Sequence, residues 1–231
     1  MLQNLDFISE NELAEWVESH LQTDECALST GYQGRTLLYQ ESTSEDAHKL
    51  VIKVALGNFL SRPVNLSLLR HEYRVYQKLQ GMDTVPVCYG MVKEKYLVIE
   101  FIEGMTIRQN RPEKNSEFYV KLLGAIKEMH RRGVAHNDLK RKENLLVTHD
   151  EQPVMIDFGV SIIKKNRLRW LNGYLFNLVA QFDYNAWCRH KYDKQIHELS
   201  DEDKKYYNKT FIEIYSRKIK RFYKDRVLGL F

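Results

Sequence analysis

Two short polar loops, each beside a short apolar run, constrain this chain more than any other feature. The loop HNDLKRKE leads into the apolar run NLLVT, and the run PVMID leads into a second loop at Phe158 and Gly159. Short runs of apolar and β-branched residues bounded by turn-forming sequence predict strands. The order of elements is weak evidence for a fold, so the residues in these two loops have to decide it.

Strands are predicted for most of the first half of the chain. Ser9 followed by Glu12 is a capping-box pattern and predicts a helix at the start of the sequence. Gly104 is predicted to form a turn after the last strand. One helix, with apolar residues from Leu68 to Leu79, is expected after the second of the strand-like runs, which are TLLYQ, HKLVIKVA, PVCYGMV and KYLVIEF.

Helices are predicted for most of the second half. Ser116 is expected to begin a helix and Gly133 to end it in a left-handed conformation. Beyond Lys164 the pattern is helical to the last residue, and Ser200 with Asp203 marks the start of one more helix. These patterns predict three regions: a helical extension over residues 1–27, a first lobe over 28–104 and a second lobe over 105–231.

Composition predicts an ordinary globular chain of 231 residues. No window approaches the length of about 18 apolar residues that predicts a spanning helix, and a cytoplasmic protein is expected. The three cysteines are far apart and odd in number, which favours three reduced thiols. From Ile162 onward, sixteen Lys and Arg face eight Asp and Glu, so the last third is basic.

The two loops resemble those of protein kinases. HNDLKRKEN resembles the catalytic loop, in which an Asp accepts a hydrogen bond from the substrate hydroxyl and a later Asn binds magnesium. Asp157, Phe158 and Gly159 resemble the turn whose Asp bridges magnesium to the phosphates. The resemblance therefore implies Asp138 as the catalytic base, with Asn144 and Asp157 as the metal ligands.

The first half carries further matches to the same family. Lys53 in VIKVA resembles the strand lysine that contacts the nucleotide phosphates, and Glu72 in LLRHEYRVY resembles the helix glutamate that pairs with it. Each match alone is weak, but four in the correct order, each on the expected element, are specific. The resemblance also implies contacts with ATP from the backbone of the VIEFIEG segment and from a short glycine loop, at Glu100, Ile102, Gly31 and Gly34.

The resemblance is to the protein-kinase-like superfamily and covers about Leu28 to Ile162. Within it, the chain is similar to small atypical members: RIO-type kinases, the small kinase of the tRNA threonylcarbamoyl machinery and bacterial lipopolysaccharide-core kinases. The implied fold is α+β and two-lobed, with an antiparallel sheet in the N-terminal lobe and a reduced, mainly helical C-terminal lobe. The implied cofactors are ATP and Mg²⁺.

Two departures from the family pattern and one match to it bear on function. Asn144 lies six places after Asp138, one more than usual. Asn137 stands where regulated kinases carry an Arg that pairs with a phosphorylated loop, and Ser161 is the only Ser or Thr between Gly159 and Ser200, so activation by loop phosphorylation is not expected. Lys140, two residues after Asp138, favours a serine or threonine hydroxyl as acceptor; an ordinary solvated lysine is the alternative.

Several functions stay open on sequence alone. A small serine/threonine protein kinase is favoured, while a sugar or lipopolysaccharide kinase, a RIO-like ATPase switch and a pseudokinase binding module are the alternatives. The acceptor is a hydroxyl on a protein or a sugar. The tail SRKIKRFYKDR predicts a basic amphipathic helix suited to RNA or to a membrane surface, which would place the protein peripheral to the inner membrane; a solvated terminal helix is equally compatible. DNA is not an expected partner.

Overall fold

The computed structural model describes residues 5–30, 34–41, 47–165 and 169–209. Five α-helices and ten strands follow one another in these ranges, and a 3₁₀ turn at Lys142–Asn144 precedes β8. In chain order they are α1 (Glu10–His20), β1 (Ala27–Thr30), β2 (Gly34–Gln40), β3 (Lys49–Ala55), α2 (Arg62–Leu79), β4 (Cys88–Val92), β5 (Tyr96–Glu100), β6 (Gly104–Thr106), α3 (Glu117–Arg131), β7 (Val134–Ala135), β8 (Leu145–Thr148), β9 (Pro153–Met155), β10 (Ile162–Ile163), α4 (Arg169–Lys191) and α5 (Asp201–Lys204).

The chain forms two compact units, and each unit is built from two separate stretches. The sheet unit contains the described residues of Met1–Pro112 and Lys142–Ser161, and the helical unit contains those of Glu113–Arg141 and Ile162–Phe231. An antiparallel sheet followed by a mainly helical part is the α+β arrangement predicted from the sequence, and that prediction is confirmed.

A five-stranded antiparallel sheet with the order β1-β2-β3-β5-β4 forms the body of the sheet unit. Side chains along β3 point alternately to the two faces of the sheet, and one face buries Leu50, Ile52 and Val54. The predicted capping box of α1 is present, and buried residues of α1 share a core cluster with those three side chains. Helix α1 is therefore part of the core of this unit. Strand β1 is an element that the sequence reading did not predict.

A second sheet, with the order β6-β8-β9, joins residues 142–161 to the sheet unit. Gly104, predicted to form a turn, is instead the first residue of β6 and pairs with Thr148. A Cβ atom at Gly104 would lie 2.7 Å from the carbonyl oxygen of Val147, so this close approach of two backbones requires glycine. The boundary predicted at residue 104 between the two lobes did not anticipate that residues 142–161 belong to the sheet unit.

The helical unit is organised around α3 and α4. Helix α3 ends where predicted, with Gly133 at φ +76°. Strands β7 and β10 pair with each other, and α4 packs against both of them and against α3. Helix α4 ends at Lys191, and the short α5 begins after Ser200, whose side chain accepts a hydrogen bond from the N–H of Asp203, so the helix start predicted there is confirmed.

Two sequence predictions fall outside the described residues: the basic helix over Phe211 to Arg226, and the glycine-loop residue Gly31. The helices that the structure does describe are all too short or too polar to cross a lipid bilayer.

Candidate functional site

Three charged side chains meet between β3 and α2 in the sheet unit. The Nζ atom of Lys53 lies 2.6 Å from Oε1 of Glu72 and 3.5 Å from Oδ1 of Asp157. The side chains of Lys53 and Glu72 are only 17% and 5% exposed, whereas that of Asp157 is 48% exposed. Burial by itself would lower the pKa of Lys53, but the two carboxylates outweigh it and raise that pKa, so the amine carries its charge.

Helix α2 also holds the DFG turn, which is the name used below for residues 157–159. The backbone N–H of Phe158 donates to Oε1 of Glu72 at 3.3 Å, and the buried Phe158 ring meets the ring of Tyr76 edge-on, with centroids 5.2 Å apart. One residue before Glu72, Nε2 of His71 donates to the carbonyl oxygen of Ser161 at 2.9 Å. Consecutive contacts from one helix therefore fix the turn and the two residues after it.

Asp157 and Asn144 reach the same place from adjoining segments. Asp157 has φ +66°, a left-handed conformation that is uncommon for residues other than glycine and is found often at functional sites. The N–H of Ile156 donates to the carbonyl oxygen of Asn144 at 3.0 Å, which ties the strand before the turn to the 3₁₀ turn that carries Asn144. Carboxylate and amide oxygens are hard ligands of the type that Mg²⁺ prefers.

A cavity of about 520 Å³ lies within the sheet unit, and Lys53, Asn144 and Asp157 all line it. Its volume is that of a pocket for a small organic ligand. Apolar groups supply much of the remaining wall, which includes Leu28, Val51, Ile99, Leu146 and Ile156. One end is therefore charged and the rest is suited to a flat apolar group.

The predicted hinge residues Glu100 and Ile102 also line this cavity. The N–H of Glu100 donates to the carbonyl oxygen of Val87 at 2.8 Å, and its side-chain Oε2 accepts from the N–H of Val87 at 2.9 Å. Because that N–H is engaged by Val87, a hydrogen bond donated to an adenine ring has to come from another backbone group of this segment.

Gly34 has a structural reason to be glycine. It pairs with Ala55 across β2 and β3, and a Cβ atom at this position would lie 2.5 Å from the carbonyl oxygen of Val54. It does not line the 520 Å³ cavity, but it does line a second, more polar cavity of about 200 Å³ that reaches Lys53 and Asp157. Its predicted contact with ATP stays a prediction.

The HND loop, defined here as residues 136–141, lies in the helical unit and is held by α4. The fully buried Asp183 accepts hydrogen bonds from the backbone N–H of His136 at 2.8 Å and of Asn137 at 3.0 Å. Asn137 has φ +73°, so these bonds stabilise a backbone shape that most residues avoid. His136 is completely buried.

A second side chain of α4 holds the far end of the HND loop. Nε2 of the buried His190 donates to the carbonyl oxygen of Leu139 at 2.6 Å, and the hydroxyl of Tyr119 donates to the carbonyl oxygen of His190 at 3.1 Å. Neither Asp183 nor His190 was among the site residues predicted from the sequence. The signal for Asp183 was an acidic residue within the apolar run LVAQFDYNAW, since such a carboxylate is rarely buried without partners.

Asp138 presents its carboxylate next to two cations. Nζ of Lys140 lies 4.0 Å from Oδ1 and Nη1 of Arg141 lies 3.7 Å from Oδ2, while the Asp138 side chain is 18% exposed. Both cations are more than half exposed. A partly exposed carboxylate on a fixed loop can accept a proton or a hydrogen bond from a hydroxyl, and exposed cations beside it suit an anionic reactant.

The family model described as "Protein kinase domain" matches residues 28–186 of this chain. "Serine/threonine-protein kinase C" of Synechocystis sp. is 30% identical over 148 residues, which is 58% of this chain and 28% of that protein. "Serine/threonine-protein kinase D" of the same organism is 36% identical over 145 residues, with the same two shares. A "Probable myosin light chain kinase" of Dictyostelium discoideum is 24% identical over 179 residues, or 70% of this chain and 56% of that protein.

The chain thus spans well under two thirds of the length of the curated relatives it matches. The matched range contains Lys53, Glu72, Asp138, Asn144 and Asp157. These five residues carried the resemblance in the sequence, and the family model covers more than half of the chain. The chain belongs to the protein kinase domain family.

Proposed function

We propose that this protein transfers the γ-phosphate of ATP to a serine or threonine hydroxyl of a protein. The observation that carries the proposal is the position of Lys53, held by Glu72 and Asp157 at the charged end of the 520 Å³ cavity. A buried cation fixed by two carboxylates is suited to hold the phosphates of a nucleotide, and positioning is most of what phosphoryl transfer requires from a protein.

In the sheet unit, the apolar part of the cavity holds the adenine ring and Lys53 contacts the phosphates. The oxygens of Asn144 and Asp157 fit Mg²⁺, because both residues line the charged end of the cavity and both offer hard oxygen ligands. When bound, the metal neutralises charge on the phosphates. Helix α2 keeps Asp157 in place through its contacts with Phe158 and Ser161.

In the helical unit, Asp138 accepts a hydrogen bond from the acceptor hydroxyl and orients it. Asp183 and His190 act as positioning residues, because they hold the backbone on both sides of Asp138. Lys140 supplies positive charge beside the transferred phosphate, a role that its exposed side chain can take only when the reactants are bound.

A protein acceptor is favoured because the relatives named above are described as protein kinases. The finer likeness to RIO-type and lipopolysaccharide-core kinases rests on the reduced helical part alone, and none of these relatives is described in such terms. An RNA or membrane partner at the tail likewise rests on sequence only. These alternatives remain outcomes of the acceptor experiment.

Activity without prior phosphorylation is a further part of the proposal. Ser161 is 6% exposed and its hydroxyl donates to the carbonyl oxygen of Phe158 at 2.7 Å, so it is not accessible to another kinase. Protein treated with phosphatase is expected to transfer phosphate at the untreated rate. A loss of activity that returns on rephosphorylation would contradict this.

The experiment that tests the proposed function uses γ-labelled ATP and magnesium, first with the protein alone and then with protein, lipopolysaccharide and RNA fractions. Label on serine or threonine of added protein, identified by phosphoamino acid analysis, is the expected result. Label on a sugar fraction would replace the acceptor, and release of phosphate without any labelled acceptor would favour an ATPase. If the protein neither bound ATP nor turned it over, the proposal would be refuted and a binding module would be supported.

A further inference from the structure

The first two turns of α4 expose an apolar surface that the proposed function has not used. Leu171, Tyr174 and Leu175 are 47%, 56% and 43% exposed, and their spacing places them on one side of the helix. Another side of the helix is buried through Phe176, Val179 and Ala180. The exposed three residues are called the α4 face below.

Two exposed lysines lie on the segment that leads into α4. Asn172 accepts a hydrogen bond from the N–H of Lys165 and donates one to the carbonyl oxygen of Ile163 at 3.2 Å, which ties the incoming segment to the helix. Nζ of Lys164 lies 5.4 Å from the centroid of the Phe176 ring, and Lys164 and Lys165 are both exposed. In the sequence, residues 158–182 contain four basic residues and no Asp or Glu.

The α4 face lies near the HND loop along the same helix. Leu175 precedes Asp183 by two turns, a distance of roughly 12 Å, and Asp183 binds the backbone beside Asp138. A segment bound at the α4 face would therefore be anchored close to the catalytic base. Only residues 158–168 separate Asp157 from α4, which leaves little chain for a separate docking platform.

We infer that the α4 face binds an acidic segment of the protein acceptor that carries two or three apolar side chains. The inference rests on the proposed function, since it names the docking surface for that acceptor. The apolar side chains of the segment would pack against Leu171, Tyr174 and Leu175, and its acidic side chains would pair with Lys164 and Lys165. Three exposed residues span about one turn, whereas helices that bind a lipid surface bury a longer stripe, so a peptide fits better than a membrane.

The experiment measures binding without ATP, so that it is independent of phosphoryl transfer. Fluorescein-labelled dephosphorylated casein, an acidic protein, is titrated with the full chain, and histone serves as a basic comparison. Replacement of Leu171, Tyr174 and Leu175 together by Ser is expected to weaken casein binding about tenfold, because the apolar contacts are lost. Val120→Ser, at a 69% exposed residue of α3, is the matched control and should leave binding unchanged.

Charge is tested separately with Lys164→Gln and Lys165→Gln together. This variant should weaken casein binding about threefold at low salt and show a smaller salt dependence than the wild type. Unchanged circular dichroism and unchanged binding of magnesium ATP show that the variants are folded. Casein binding with intact variants but no phosphoryl transfer would refute only the proposed function.

Three results would overturn the inference. The Ser variant could bind casein as tightly as the wild type, the wild type could prefer histone, or the wild type could bind phosphatidylglycerol vesicles but not casein. The last result would turn the α4 face into a lipid-binding surface.

Discussion

The two units prepare their functional residues in different ways. In the sheet unit, charged side chains contact one another directly, as Lys53 does with Glu72 and Asp157. In the helical unit, by contrast, the buried side chains of Asp183 and His190 hold the backbone on either side of Asp138. In the sheet unit, side chains are positioned by contacts with other side chains. In the helical unit, side chains position the HND loop by hydrogen bonds to its main chain.

This difference separates two kinds of mutational effect. Removal of a charge in the sheet unit changes what the cavity binds, whereas removal of a buried anchor in the helical unit leaves backbone N–H or C=O groups without their hydrogen-bond partner. The first should appear mainly in catalysis and the second in both stability and catalysis. The predictions below are arranged to separate these effects.

The largest effect is expected from the two aspartates that face the reactants, one in each unit. Asp138→Asn removes the proposed base and Asp157→Asn removes a metal ligand, and each should lower the rate of phosphoryl transfer by about two to four orders of magnitude. Thermal unfolding should change little, since both side chains are partly exposed. The matched control is Asp150→Asn at an exposed turn, and full activity in either test variant would refute the assigned roles.

A smaller effect on rate, with a clear effect on stability, is expected for Asp183→Asn. An amide can accept one hydrogen bond from the loop but presents its own NH₂ group to the other donor, so the free energy of unfolding should fall by about 1–3 kcal/mol. Denaturant unfolding measures this, with Glu117→Gln at an 88% exposed position of α3 as the control. Equal stability of Asp183→Asn and the wild type would mean that Asp183 does not hold the HND loop.

Two histidines allow a direct comparison of the units. His190 donates to the carbonyl oxygen of Leu139 inside the core, and His71 donates to that of Ser161 from a partly exposed position. His190→Phe should therefore cost more stability than His71→Phe, by about 1 kcal/mol, because water can replace the lost donor only at His71.

The same pair has a kinetic readout. His190→Phe should lower kcat several-fold with little change in KM for ATP, and His190→Gln, which keeps a donor, should recover part of the loss. The anchoring by His190 would not be specific if His71→Phe cost more stability than His190→Phe, or if His190→Gln recovered none of the lost kcat.

The smallest effect is an expected absence of change with pH. The pKa of Lys53 is raised above its unfolded value of about 10.4, so the stabilising pair with Glu72 is fully present below that value and is lost only as the pH rises above it. The difference in unfolding free energy between wild type and Lys53→Met should be constant from pH 6 to 9. A difference that becomes smaller as the pH rises from 6 to 9 would mean that Lys53 loses its proton in this range.

The fold and the family could be predicted from the sequence because their signals are local. Alternation in β3, the cap at Ser9 and the left-handed Gly133 each act over a few residues, and the structure confirms all three. The motifs around Asp138 and Asp157 placed the chain in the protein kinase family, which the comparisons confirm. The finer subtype has no such support.

The remaining features depend on contacts distant in sequence. Asp183 binds N–H groups 46 and 47 residues away, and only the folded chain shows that partnership. Gly104 was misread because its partner, Thr148, lies on a strand that the turn prediction did not connect with it. The roles of the individual site residues and the domain boundaries stay predictions, and the basic tail lies outside the described residues.

The interleaving of the two units has a consequence for synthesis and folding. The main chain passes from one unit to the other after Pro112, after Arg141 and again after Ser161. No single cut in the polypeptide separates the units, and a ribosome must release residues up to Met155 before the sheet unit can close its second sheet. Pairings of this sequence separation are formed late and slowly. Fragments ending near Pro112 should therefore expose the edge of β6 and be prone to aggregate, whereas termination after Lys191 leaves every strand with its partner.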